Sequence, residues 1–118
     1  MSYDIYLVDP VSKETLHSET VHTMAGGTYA MGGTTELHLN VTYNYSKHFY
    51  RVLGEGGIRS LFGKTATESL PLLKTAIEQL GDDVDPDYWA STEGNAKRAL
   101  YQLQAMAQMR PDGVWEVY

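Results

Sequence analysis

Glu36, His38, Asn40, Thr42 and Asn44 stand at every second position of GGTTELHLNVTYNY, residues 32–45. The residues between them, Leu37, Leu39, Val41, Tyr43 and Tyr45, are apolar, so alternation predicts a half-buried strand with the polar set on its other face. An imidazole beside two carboxamides both donates and accepts hydrogen bonds, which suits recognition better than plain solvation. Glu36 and His38 are the one carboxylate and imidazole that the pattern places on a shared face, so they are also the pair that general acid and base chemistry would use. No serine-nucleophile pattern accompanies them. The enzyme reading is therefore third, behind two binding readings.

Four histidines, His17, His22, His38 and His48, raise metal binding, since imidazole is a common ligand. No pair has i, i+4 helical spacing, no third ligand is identifiable and there is no cysteine, so no metal site and no cofactor is predicted. Gly-Gly-Thr occurs at 26–28 and again at 32–34, a composition that lets backbone amides approach an anion closely, although tight turns use it too. Arg51 follows within reach of such a loop. Together Glu36, His38, Asn40, Thr42, Asn44 and Arg51 form a candidate site for a small anionic or nucleotide-like ligand, with arginine supplying charge and asparagine a base edge.

The second binding reading rests on DDVDPDYW, residues 82–89. It is a helix-to-helix loop in which Asp82, Asp83, Asp87 and Tyr88 offer an acidic, aromatic docking site for a protein. The net charge of −6 agrees with a basic partner and argues against general nucleic-acid binding. Nine tyrosines against two phenylalanines favour contact surfaces, and a homodimer is one way of using them.

These residues need elements to position them. With 118 residues, 42% hydrophobic and 20% charged, the chain reads as a single globular domain over 1–118. No signal-length apolar run and no membrane span is present, which predicts a soluble cytoplasmic protein. YDIYLV (3–8) reads as a strand, Asp9-Pro10 as a turn and 14–20 as its hairpin partner. SKHFYRVL (46–53) reads as a short helix capped by Ser46 and ended by Gly54. Thr65 and Glu68 fit a capping box before the stripe Leu70, Leu73, Ile77, Leu80, and Pro71 shifts the expected start toward Thr67 or Ser69. Ser91 or Thr92 starts a second helix with the stripe Ala96, Leu100, Leu103, Ala107, and Gly113 to Tyr118 alternates as a final strand. The sum is an α+β fold, a small antiparallel sheet packed on one face by two C-terminal helices, with 35–45 as central strand.

SYDIYLVDP (2–10), GGTTELHLNVTYNY (32–45), EGNAKRAL (93–100) and MRPDGVW (109–115) together resemble a family of small phage and prophage proteins. The resemblance implies a context only, in which small acidic cysteine-free proteins bind a host component, including components of defence systems. It carries no catalytic motif.

Overall fold

Tyr3, Ile5 and Leu7 alternate with Ser2, Asp4 and Tyr6, and the computed structural model, which describes residues 1–28 and 30–118, turns that pattern into a strand with one buried face. This is β1 (Ser2–Val8). It is followed by β2 (His17–His22), β3 (Thr34–Glu36), β4 (His38–Thr42), a 3-10 turn (Tyr43–Tyr45), α1 (Ser46–Leu53) and a second 3-10 turn (Gly57–Leu61). The chain ends with α2 (Ala66–Gln79), α3 (Glu93–Met109) and β5 (Val114–Val117). The main sheet is antiparallel in the order β4-β1-β5, and β2 and β3 form a separate two-stranded ribbon. The architecture is α+β, as expected from the sequence. Tyr3, Ile5, Leu7, Leu39, Val41, Trp115 and Val117 are buried on the sheet face that packs against α2 and α3, with Phe49 of α1 and Ile58 and Leu61 of the second turn in the same core.

Three expectations about the strands change. β1, not the stretch 35–45, is the central strand, because β5 adds along its other edge. The stretch 35–45 is not continuous either: it breaks at Leu37 and ends at Thr42. At Leu37 the amide donates to the Leu16 carbonyl (2.9 Å) while its own carbonyl accepts from Leu7 (3.0 Å), and Leu16 in turn donates to Leu7 (2.9 Å). At Thr42 the hydroxyl accepts the Asn44 amide, and this local bond starts the 3-10 turn instead of another strand residue. The hairpin predicted for 3–8 and 14–20 survives only near its turn. Val8 bridges Thr15, after which β2 leaves to pair with β3.

The helices follow their caps. Thr65 accepts from the Glu68 amide (3.0 Å) while Glu68 accepts from the Thr65 amide (3.1 Å). Together with the Ala66 amide donating to the Gly113 carbonyl, this holds the start of α2 at Ala66, ahead of the later start that Pro71 suggested. Pro71 is exposed and sits inside the helix. Thr92, not Ser91, caps α3 through the Asn95 amide. Ser46 is the first residue of α1 and not its cap, its hydroxyl lying 2.6 Å from that of Tyr3. The indole of buried Trp115 donates to Ser69 Oγ at 2.8 Å, and Ser69 donates to the Ala66 carbonyl, so the polar atoms under the sheet are matched. No described helix is long and apolar enough to cross a membrane.

Gly113 lies directly against the three-leucine junction. A Cβ there would stand 2.5 Å from Leu7 Cγ and 2.9 Å from Leu16 Cδ1. Gly113→Ala should therefore lower stability by about 1–3 kcal/mol in urea unfolding, the cost of overpacking. Gly81→Ala, whose nearest neighbour would be 3.7 Å away, should stay within about 0.5 kcal/mol of the parent.

Candidate functional site

The open face of the main sheet is a grid of cross-strand neighbours. Asn40, Asp4 and Tyr118 form one rung, and His38, Tyr6 and Glu116 the next. Within the first, the Asn40 carboxamide donates to Asp4 Oδ1 (3.1 Å) and to Ser2 Oγ (2.7 Å). His38 Nε2 reaches the same Asp4 oxygen at 3.0 Å. In the second rung the Tyr6 ring stacks on the His38 ring with centroids 4.3 Å apart and planes 7° apart. Tyr118 meets Tyr6 edge-on, donates to Glu116 Oε1 (2.8 Å) and touches Phe62. Such pairs are the unit of sheet stabilisation, and here they also leave aromatic edges and carboxylates facing outward.

Partial burial, then Asp4 and Glu36, raise the pKa of the Tyr6 hydroxyl, and the hydrogen bond from Tyr118 to Glu116 raises that of Tyr118. Asp4, Glu36 and Glu116 make this face acidic, with Lys13 at its rim. Two hollows flank the Tyr6–His38 stack. One, about 240 Å³, is lined by Glu36, His38 and Asn40 together with Thr28, Ala30 and Thr34 of the glycine-rich segment. The other, about 410 Å³, is lined by Asp4, Tyr6, Glu116, Tyr118 and Lys13 among others.

Of the six ligand residues expected from the sequence, Glu36, His38 and Asn40 come together in one hollow. The other three do not join them. Thr42 is buried, with its amide donating to the Tyr88 hydroxyl at 2.9 Å. Asn44 lies beyond the end of β4 and its carboxamide donates to the Trp89 carbonyl (2.8 Å). Arg51 sits on α1, paired with Glu93 at the start of α3 (2.6 Å). The partner that His38 finds is Asp4 and not Glu36. Asp4, Tyr6, Glu116 and Tyr118 were missed as site residues, although alternation in YDIYLV and VWEVY already sets them opposite the core-facing side chains. The missing information was which strands are neighbours.

The acidic segment 82–89 is tied to α3 and to its own backbone. Asp82 pairs with Lys97 (2.7 Å), Asp83 accepts the Gly94 amide and Asp87 accepts the Trp89 amide. Half-buried Tyr88 lies against the edge of β4, its hydroxyl contacting both the Thr42 amide and the Asn40 carbonyl, while its carbonyl accepts the Tyr45 hydroxyl. Buried Asn95 fixes the backbone of the segment by accepting the Asp85 amide and donating to the Asp87 and Ala90 carbonyls. The Gly27 amide donates to Asn40 O (3.1 Å), so β4 is covered where an edge strand would otherwise be open. The other histidines lie apart from one another in local contacts: His17 with Thr35, His22 with the Glu36 carbonyl and the Met24 amide, and His48 with Ser91. Among the described residues no group of three His, Asp or Glu side chains is placed to hold a metal ion. No protein-family model, curated protein or solved structure matches this chain.

Removing the Tyr88 hydroxyl leaves the Thr42 amide unpaired, so Tyr88→Phe should cost about 1–3 kcal/mol in urea unfolding, against little change for Tyr101→Phe at an exposed position. Burial raises the Tyr45 hydroxyl far above the ordinary tyrosine pKa of 10.0. In the unfolded chain that hydroxyl ionises near 10 and in the folded one it stays neutral, so its contribution is complete below pH 10 and is lost as pH rises toward the folded value. Urea midpoints should thus fall above about pH 10, and less steeply in Tyr45→Phe.

Proposed function

We propose that this protein is a non-enzymatic binding module that takes a basic segment of a partner protein on the open face of its main sheet. The observation that carries this reading is the pair of rungs in which Asp4, Glu116 and the nearby Glu36 surround the Tyr6–His38 stack and the exposed edge of Tyr118. Tyrosine supplies contact area at small entropic cost, and matched opposite charge supplies specificity and association rate. A second copy seated face to face across a two-fold axis would bring these carboxylates toward their own equivalents, which favours a different, basic chain. In the context implied by the resemblance to phage and prophage proteins, that chain is a host protein. The acidic segment 82–89 is a poorer surface, because Lys97 already neutralises Asp82 there, whereas no Lys or Arg among the described residues pairs with Asp4, Glu36 or Glu116.

Fluorescence anisotropy with a labelled peptide of Lys, Arg and Leu tests this. Binding should weaken at least about 10-fold when Asp4→Asn, Glu36→Gln and Glu116→Gln are combined, and should weaken as salt rises. The combination Asp82→Asn, Asp83→Asn, Asp87→Asn should leave affinity within about 2-fold. A larger effect from the second set would move the site to the 82–89 segment.

A second reading keeps a small anionic or nucleotide-like ligand in the hollow lined by Glu36, His38 and Asn40. No Lys or Arg is in its described lining, and Arg51 is engaged by Glu93. On that reading a panel of nucleotides and sugar phosphates raises the thermal midpoint, by the equivalent of about 2.7 kcal/mol at 100 times the dissociation constant, and Asn40→Ala removes the effect. On the protein-binding reading the panel shifts nothing.

A further inference from the structure

A separate cavity of about 280 Å³ opens between the 82–89 segment, α3 and the Ala25-Gly26 turn, away from the Tyr6–His38 stack. Its walls are held by side-chain to backbone bonds. Asn95 fixes the Asp85 amide and the Asp87 carbonyl, and the Tyr45 hydroxyl holds the Tyr88 carbonyl. On the opposite wall Gln102 clasps residue 25 from both sides, accepting its amide (2.9 Å) and donating to its carbonyl (3.1 Å). The cavity therefore needs little reorganisation before a ligand enters.

With those groups matched, two capacities remain in the lining. Arg98 makes no hydrogen bond or ion pair among the described residues, and Asp85 uses only Oδ1, which accepts the Asp87 amide. Both line the cavity, yet they do not pair with each other. Between them lie the apolar surfaces of Tyr45, Tyr88, Ala99 and Pro86. A rigid pocket with one free guanidinium, one free carboxylate oxygen and an apolar wall matches a molecule bearing both charges and a short hydrocarbon. The volume lies just below the range of drug-sized ligand cavities, which starts at about 300 Å³, and so suits a small molecule.

We propose that this cavity binds a free α-amino acid with an apolar side chain, its carboxylate on Arg98, its ammonium on Asp85 and its side chain against the two tyrosines. The inference is independent of the sheet-face reading. L-Leucine is the probe, titrated into 15N-labelled protein with the amides of Gly26 and Ala99 as reporters. Expected is saturable movement with a dissociation constant below about 10 mM. 4-Methylpentanoate, which lacks the ammonium, and 3-methylbutan-1-amine, which lacks the carboxylate, should each bind at least about 10-fold more weakly, because each forfeits one of the two charge-assisted hydrogen bonds. Arg98→Gln should weaken leucine by a similar factor with the rest of the spectrum unchanged. So should Asp85→Asn, which keeps the acceptor for the Asp87 amide. No saturable movement at those two amides would overturn the proposal, as would either analogue or the Arg98 variant matching leucine on the parent protein.

Discussion

Leu7, Leu16 and Leu37 bond one another in a closed ring of three backbone hydrogen bonds, each 2.9 or 3.0 Å long, with all three side chains buried. Three chain segments meet there, and each has its donor and acceptor satisfied by the other two. The ring decides the topology. It ends the β1 hairpin after the Val8–Thr15 bridge, sends β2 off to pair with β3, and returns the chain at Leu37 so that β4 enters the main sheet beside β1. Everything on the open face follows from that return, because it sets His38 opposite Tyr6 and Asn40 opposite Asp4. Gly113 completes the junction from below, where the approach to β5 leaves no room for a Cβ.

A second constraint closes the other side of β4. The segment 82–89 carries six of the chain's charged or aromatic residues within a short run, yet its acids cap amides and its tyrosine covers the strand edge. Tyr45 and Tyr88 meet at 5.6 Å, edge to face, and their hydroxyls serve the backbone. Buried tyrosines here act as polar braces as much as apolar filling, which gives one physical reason for their number. The same bracing leaves the 280 Å³ cavity preformed between the segment and α3.

Local signals were legible in the sequence, and pairings were not. Thr65 with Glu68 announced the capping box of α2, although Pro71 pointed to a later start, and Ala96, Leu100, Leu103 and Ala107 announced the buried stripe of α3, because capping and helical period act within a few residues. Alternation identified the core-facing side of β1 and β4 and marked β5 as a strand. It did not reveal the break at Leu37, where an apolar residue continues the alternation although its backbone bonds to two other segments. Nor did it show that Thr42 would turn the chain by accepting the Asn44 amide. The candidate site was half legible for the same reason. His38 and Asn40 are outward on β4, but Asp4 and Glu116 reach them from strands that lie more than thirty residues away in the chain. Charge counts likewise singled out residues 82–89 without revealing that those carboxylates are engaged inside the molecule.

Intermolecular nuclear Overhauser effects between a Lys- and Arg-containing peptide and the tyrosine rings test the central claim most directly. The account predicts contacts from the peptide side chains to the ring protons of Tyr6 and Tyr118, the two outward tyrosines that flank Asp4 and Glu116. Contacts confined to Tyr88 and Trp89, with none to Tyr6 or Tyr118, would contradict it and place the binding surface on the 82–89 segment.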